Sequence, residues 1–208
     1  FTYWHSRPDK GFAYAMNEGI QMANGEYIYL LNADDFLADD TVLGEVADIL
    51  VQYPNIDVLA AAVKVRYPKP AYTYKKFVPL SLNNLRRDKQ PPHQGAFIRK
   101  RVYQELGYLN TRLRGAVDFD LFCKIALAGY TSYDYDRVVA FFRSGGISQD
   151  KTISWNEDAR LIRQHFGFWA FLPFWLKIKL KLALRALARR LGIFLLYHKC
   201  LQWKYRRK

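Results

Sequence analysis

The segment EYIYLLNADD, residues 26–35, ends in two adjacent carboxylates that directly follow residues of the kind found inside proteins. Adjacent carboxylates repel each other, so both stay ionised most easily when a divalent cation lies between them and a phosphate. Mg²⁺ and Mn²⁺ prefer oxygen ligands of this kind. The pair Asp34 and Asp35 therefore favours a cation site that also holds a phosphate. A turn or helix cap made by one of the two aspartates is the alternative that this stretch alone leaves open.

A second pair of carboxylates, Asp118 and Asp120, stands near the start of the segment AVDFDLFCKIALAGY, whose apolar pattern predicts a helix. Residues two apart on a helix differ by about 200° in direction, so only one of these aspartates can face a common site. A carboxylate in a cleft can accept a proton from a reacting hydroxyl. An N-cap is the alternative role for the aspartate that opens the helix.

The elements around the first pair alternate in type. The spacing of apolar residues predicts a helix over 11–24 that stops at Gly25, a buried strand over 26–32, a helix over 39–53 and a strand over 56–65. This alternation predicts an α/β fold with a doubly wound, mostly parallel sheet. In such sheets ligands bind beyond the carboxyl ends of the strands, where the first carboxylate pair lies.

The remaining pattern is less regular. Residues 1–8 are typical of a strand end, and residues 66–92 form the longest stretch without a clear period, which predicts a long loop. A short strand, two helices and a second strand are predicted over 95–143, and a further helix over 153–167. The two cysteines lie far apart with no metal-ligand spacing, which indicates a reducing compartment and no zinc site.

The segment DKGFAYAMNEGIQMANGEYIYLLNADD, residues 9–35, resembles the family 2 glycosyltransferases of the GT-A fold, in which a D-x-G-x-x-x-A-x-N-x-G segment leads to an aspartate motif. The residues at matching places are Asp9, Gly11, Ala15, Asn17, Gly19, Ala23, Gly25, Glu26, Asp34 and Asp35. The resemblance implies that Asp35 binds a divalent cation, Mg²⁺ or Mn²⁺, together with the donor diphosphate, and that Asp34 lies against the donor sugar or ribose. It also implies that Asp9, Lys10 and Asn17 belong to the donor pocket. For Asn17, a role limited to fixing the helix stays open.

A second block, residues 93–130, resembles the acceptor half of the same family, in the branch that builds bacterial surface polysaccharides. The resemblance selects Asp118 as the general base of a single displacement, which would invert the anomeric configuration. It implies that His93 and Gln94 contact the acceptor or the diphosphate. The segment FFRSGGIS, ending at Ser148, is similar to the family's glycine loop near the acceptor, although a plain turn explains it nearly as well.

The expected function is therefore transfer of a sugar from a nucleotide-sugar donor to a saccharide or lipid-linked acceptor. The family's first strand, helix and second strand, with their DGGSTD-like segment, have no match here, so residues 1–168 are expected to form an N-terminally incomplete GT-A domain. The competing hypothesis is a catalytically inactive remnant or binding module that keeps the fold.

The net charge of +13 is concentrated at the C-terminus. Residues 171–208 contain eleven Lys or Arg and no Asp or Glu, whereas residues 1–170 carry 21 basic against 19 acidic residues. A nearly neutral body argues against nucleic-acid binding over the fold. Residues 169–208 are expected to form an amphipathic tail that holds the chain on the inner, cytoplasmic face of an anionic cell membrane. RNA binding and a plain packed helix are the alternatives. One predicted face of this helix carries Leu176, Leu180, Leu184, Leu187 and Leu191.

Overall fold

The computed structural model describes residues 3–8, 10–68, 71–143 and 151–190. Its helices are α1 (Phe12–Met22), α2 (Val42–Gln52), α3 (Leu82–Leu85), α4 (Lys100–Glu105), α5 (Val117–Ala128), α6 (Lys151–Phe166) and α7 (Phe168–Arg190). Its strands are β1 (Tyr27–Tyr29), β2 (Phe36–Leu37), β3 (Val58–Pro68), β4 (Ala71–Lys76), β5 (Ala96–Arg99) and β6 (Ser132–Arg143). A short 3₁₀ turn, His93–Gly95, leads into β5.

The strands form one sheet in the order β1-β5-β3-β6-β2, with β4 paired to β3 beyond the end of β5. Strands β3 and β6 are parallel. Strand β5 is antiparallel to both of its neighbours, β1 and β3, so β1, β3 and β6 all run in one direction. Strands β2 and β4 are antiparallel to β6 and β3.

The prediction of an α/β fold is confirmed, but the expectation of a mostly parallel sheet is wrong for the described strands. The helical crossover from β1 to β3 does give two strands of the same direction, as the alternation predicted. They are not neighbours, because β5 lies between them and pairs antiparallel with each. Strand β4 adds a further antiparallel pair by folding back on β3, and β2 adds another with β6. An apolar pattern indicates a strand without indicating its partner.

Two other expectations differ from the structure. The stretch 66–92 is not one long loop, because β3 continues to Pro68 and β4 follows over Ala71–Lys76. Strand β4 was not predicted because its run of Tyr and Lys residues lacks the apolar alternation of a half-buried strand. Residues 3–8 have no regular structure in place of the expected strand end.

Helices cover both faces of the sheet, and alternate strand residues point to the two layers. In β3, Val58 packs with the layer that contains α1, α4, α5 and α6, whereas its neighbour Leu59 packs with the α2 layer. Helix α5 is the most deeply buried helix, since residues on all its sides are enclosed, including Phe119, Phe122 and Ile125. This burial fixes α5 firmly against the sheet, which matters for the carboxylates at its start.

Helix α7 has an inner and an outer face. Phe174 is 5% exposed and belongs to the core, with Phe171 and Ile178 packed beside it. Leu176 is two positions from Phe174, about 200° around the helix, and is exposed. The same exposed side carries Leu180, Leu184 and Leu187. Within the described residues no helix is both long enough and apolar enough to cross a membrane.

Candidate active site

A cleft of about 1130 Å³ opens beyond the carboxyl ends of β1 and β6. The segment after β1, the 3₁₀ turn before β5, the start of α5, the middle of α6 and the segment after β4 all contribute to its walls. Among the lining side chains the ones that carry charge or polar atoms include Asn32, Asp34, Lys76, Asp88, His93, Gln94, Asp118, Arg143 and Asp158. The cleft therefore lies where the sequence analysis predicts a ligand site, beyond the carboxyl ends of the strands.

The two adjacent aspartates have different surroundings. Asp34 lines the cleft. Asp35 is 7% exposed, and its carboxylate accepts one hydrogen bond on each oxygen. Asn32 Nδ2 donates to Oδ2 at 2.9 Å, and the backbone N–H of Arg143 donates to Oδ1 at 3.1 Å. Asp34 is thus the carboxylate that a ligand in the cleft meets first, while Asp35 joins the ends of β1 and β6.

This donor set fits a cation that takes most of its ligands from a substrate. Mg²⁺ is usually held by one or two carboxylates, with waters and substrate phosphates completing its coordination. Within the described residues there is no cluster of three or more His, Cys, Asp or Glu side chains that would hold a metal by themselves. Asp34 and Asp35 supply the one or two carboxylates that such shared coordination needs. Each oxygen of Asp35 accepts only one bond from the described residues, so a lone pair remains on each.

Asp118 lies in the first turn of α5 and lines the cleft. His93 Nδ1 is 3.4 Å from its Oδ2, and Gln90 Nε2 donates to the same oxygen at 3.1 Å. Burial acts to raise the pKa of Asp118, but the contact with His93 and the charge of Lys76 outweigh it and hold the pKa below its ordinary value. Asp118 is therefore an ionised carboxylate in the cleft, the state that a general base requires.

Asp120 faces away from the cleft. It is 1% exposed, and its carboxylate lies 2.7 Å from Lys124 Nζ and 3.0 Å from His165 Nε2. These partners hold its pKa below the ordinary value against the effect of burial. The spacing argument, that only one of the two aspartates can face the site, is confirmed. The N-cap alternative for Asp118 is wrong, because the N-cap of α5 is Ala116.

The start of α5 is held by Glu157 of α6. Its carboxylate accepts hydrogen bonds from the backbone N–H groups of Arg114, Gly115 and Ala116, at distances between 2.8 and 3.1 Å. These residues immediately precede the helix turn that carries Asp118. Nothing in the sequence pointed to this contact, because a glutamate on a helix has no local signal for a partner 41 residues away.

The other predicted residues are distributed as follows. His93 and Gln94 line the cleft, and the backbone carbonyl of Gln94 accepts from Tyr29 Oη at 2.8 Å. Asn17 exchanges two hydrogen bonds with the backbone of Leu109, both 2.9 Å, which is the helix-fixing role that the sequence left open. Lys10 is exposed, and Asp9 and Ser148 lie outside the described residues.

Several cleft residues were missed by the sequence analysis. Asp88 and Asp158 approach the cleft from the segment after α3 and from α6. Burial raises the pKa of Asp88 to about 6, opposed mainly by the charges of Lys177 and Lys181. Burial, together with the charge of Asp88, raises the pKa of Asp158 to about 8. Neither aspartate belongs to a recognisable motif, so only the folded chain reveals them.

The comparisons with known proteins concern the family and the fold of the chain. The family model described as Glycosyl transferase family 2 matches residues 1–108. A PGL/p-HBAD biosynthesis glycosyltransferase of Mycobacterium bovis (strain BCG / Pasteur 1173P2) is 27% identical over 146 residues, which are 69% of this chain and 56% of that protein. An uncharacterized glycosyltransferase of Mycobacterium tuberculosis (strain H37Rv) is 30% identical over 136 residues, 61% of this chain and 48% of that protein.

A solved structure shares the fold. S. aureus TarS, crystallised in complex with UDP-GlcNAc, matches with a TM-score of 0.54 at 17% sequence identity, covering 74% of this chain and 45% of that one. This likeness confirms the predicted GT-A fold. The chain spans about half the length of the curated relatives it matches.

Proposed function

The chain belongs to glycosyl transferase family 2, and from that premise we propose that it acts in the inverting transfer of a sugar from a nucleotide-sugar donor to an acceptor hydroxyl. The acceptor class is a saccharide or a lipid-linked saccharide of a cell-surface polysaccharide. The observation that carries the proposal is one cleft lined both by Asp34, beside Asp35, and by the ionised Asp118. The UDP-GlcNAc complex of the TarS structure supports a nucleotide sugar as the donor class.

On the acceptor side, Asp118 takes the proton of the attacking hydroxyl. The acceptor oxygen forms a bond to the anomeric carbon while the bond from that carbon to the diphosphate oxygen breaks, and the nucleoside diphosphate leaves with the bonding electrons. A single displacement of this kind inverts the anomeric centre. The low pKa of Asp118 keeps it ionised and ready to accept at neutral pH.

On the donor side, Asp35 would hold a Mg²⁺ or Mn²⁺ ion. Such an ion, when bound, stabilises the negative charge that develops on the leaving diphosphate. We assign Asp35 to the ion and the diphosphate, and Asp34 to the sugar or ribose of the donor, because Asp34 is the carboxylate that lines the cleft. Gln94, on the 3₁₀ turn between the two carboxylate groups, is assigned to contacts with the diphosphate or the acceptor, whereas both ring nitrogens of the neighbouring His93 already contact Asn32 and Asp118.

The test separates binding from transfer in the full natural chain. Binding of UDP and GDP is measured by calorimetry with and without Mn²⁺, and transfer by release of nucleoside diphosphate from a panel of UDP- and GDP-sugars. Asp35→Asn should lose the Mn²⁺-dependent binding, whereas Asp118→Asn should keep binding and lose transfer. Asp136→Asn, in an exposed ion pair with Lys75, is the control. Undiminished transfer by Asp118→Asn would overturn the assignment of the base. Nucleotide binding without any transfer by the unaltered chain would favour the inactive binding module.

We also propose that α7 places the protein on an anionic membrane surface at the cytoplasmic side. Its exposed leucines lie on a helix without acidic residues, and each Lys or Arg near such a surface contributes on the order of 1 kcal/mol. Deleting the tail would also remove Phe174 from the core, so substitution of exposed leucines is the cleaner test. Leu180→Glu should weaken sedimentation with phosphatidylglycerol vesicles, and Leu43→Glu, at an exposed leucine of α2, should not. Equal sedimentation of both variants would refute the membrane contact.

A further inference from the structure

A continuous row of polar side chains joins the two ends of the cleft. It runs from Asp35 to Asn32, from Asn32 to His93, and from His93 to Asp118, with separations of 2.9, 3.2 and 3.4 Å. We infer that Asn32 is a positioning residue that keeps the proton of His93 on Nδ1 and thereby orients the carboxylate of Asp118. This inference rests on the proposed role of Asp118 as the base.

The orientation of the Asn32 amide follows from Asp35. A carboxylate can only accept hydrogen bonds, so the amide group 2.9 Å from Asp35 Oδ2 is the NH₂ group. The same Nδ2 lies 3.2 Å from His93 Nε2, and its second hydrogen is available for that contact. Nε2 must then be the acceptor, because two N–H groups cannot bond to each other. A neutral imidazole carries its single proton on the other nitrogen, Nδ1.

The proton on Nδ1 faces the base. Nδ1 is 3.4 Å from Asp118 Oδ2, and Gln90 Nε2 donates to that same oxygen at 3.1 Å. Two N–H groups directed at Oδ2 fix the carboxylate plane and leave Oδ1 to receive the proton of the acceptor.

A different role for Asn32 would predict different behaviour. Asn32 lines the cleft, and a side chain that only contacted the donor would change nucleotide affinity without affecting the imidazole of His93. A side chain that only stabilised the turn after β1 would lower stability without selecting a tautomer. The position of the proton on His93 therefore distinguishes the positioning role from both.

The experiment measures that proton directly. The full chain is labelled with ¹⁵N-histidine in Mg²⁺ buffer, and two-bond ¹⁵N–¹H correlations identify the protonated ring nitrogen of each of the four histidines. His93→Gln assigns the His93 signals by their loss. In the unaltered chain we expect Nδ1 protonated and Nε2 unprotonated. In Asn32→Asp we expect protonated Nε2, since the new carboxylate can only accept from it. Asn55→Asp, which adds the same charge at an exposed position, should leave the tautomer unchanged.

Kinetics then test the consequence. Because a well-placed general base contributes about 10²-fold or more, we expect Asn32→Asp to lower kcat at least about tenfold. UDP or GDP binding, measured separately, should change by a smaller factor. A His93 protonated on Nε2 in the unaltered chain, or an unchanged tautomer in Asn32→Asp, would overturn the inference. The tautomer is read without turnover, so its outcome is independent of whether Asp118→Asn confirms or refutes the proposed reaction.

Discussion

Replacing Glu157 with alanine removes the acceptor that closes the loop before α5. Three consecutive backbone N–H groups, those of Arg114, Gly115 and Ala116, donate to its carboxylate at 2.8 to 3.1 Å. They are the N–H groups that immediately precede the first turn of α5, and Asp118 lies in that turn. Loss of the carboxylate should therefore lower both the stability of the fold and the precision with which Asp118 is placed.

The size of the stability loss depends on which of these N–H groups can bond to water once the Glu157 carboxylate is gone. The bond from Arg114 is at the surface, so its N–H group can be hydrated in the variant. Ala116 is 1% exposed, and Gly115 lies so close to α6 that a Cβ added there would be 3.4 Å from the backbone of Ser154. Two unsatisfied N–H groups at about 1–3 kcal/mol each give an expected loss of roughly 2–6 kcal/mol in the free energy of unfolding.

Urea unfolding followed by circular dichroism measures this loss. With a slope of about 2 kcal/mol per M, the midpoint should fall by roughly 1–3 M. Asp136→Ala is the control, because among the described residues its carboxylate pairs with the exposed Lys75, and its loss should cost at most about 1 kcal/mol. If Glu157→Ala unfolds no more easily than Asp136→Ala, the three hydrogen bonds do not stabilise the loop and the reasoning fails.

Three further predictions concern packing and pH. Gly95→Ala places a Cβ 2.3 Å from a backbone carbonyl oxygen of β3, so it should lower the free energy of unfolding by at least about 2 kcal/mol, as measured by thermal unfolding. Gly44→Ala is the control: a Cβ at this position inside α2 meets no atom within 4 Å, and the variant should be slightly more stable than the unaltered chain. Phe174→Ala should cost about 3–5 kcal/mol by urea unfolding if the inner face of α7 is part of the core, and Leu180→Ala should stay within about 0.5 kcal/mol. The pKa of Asp158 is raised to about 8, so between about pH 4 and pH 8 the folded state holds a proton that the unfolded state has lost. The free energy of unfolding therefore falls as the pH rises through this range. Asp158→Asn should therefore flatten the fall in stability with rising pH, as measured by unfolding midpoints across the range.

Each of these predictions has a contrary outcome. Equal stability of the two glycine variants would mean that the turn at Gly95 can shift without cost. A negligible effect of Phe174→Ala would show that the inner face of α7 does not contribute to the stability of the core. An unchanged pH profile in Asp158→Asn would show that Asp158 ionises in the folded state as it does in the unfolded one.

The periodicity of apolar residues predicted the helices and strands better than it predicted which strands pair with each other. The segment SYDYDRVVAFFR was predicted as a strand, and β6 spans Ser132–Arg143. Helix α5 was predicted from its apolar pattern. The spacing of Asp118 and Asp120 indicated that only one of them could face a common site, and the family resemblance selected Asp118. Strand β4 and the insertion of β5 between β1 and β3 did not, because pairing depends on contacts between residues far apart in the chain.

The candidate site shows the same division. Motif residues such as Asp34, His93 and Asp118 could be named from the sequence, and the cleft brings them together. The groups that hold them in place could not be named. Glu157 acts on α5 from a different helix, and Asn32 was not singled out because its role depends on simultaneous contacts to Asp35 and His93. Such contacts leave no periodic signal, since each requires only one polar residue at one place.

The two faces of α7 connect the proposed membrane contact with the proposed reaction. On the inner face, Lys177 and Lys181 are close enough to lower the pKa of Asp88, which lines the cleft. Lys181 also lies 5.6 Å from the ring centre of Trp155, a second residue of the cleft wall. The outer face carries the exposed leucines about 200° away. A bilayer bound by the leucines would therefore lie one helix diameter, on the order of 10 Å, from the Asp88 wall of the cleft. On this ground we propose a lipid-linked acceptor, whose lipid would stay in the membrane while its saccharide reaches Asp118.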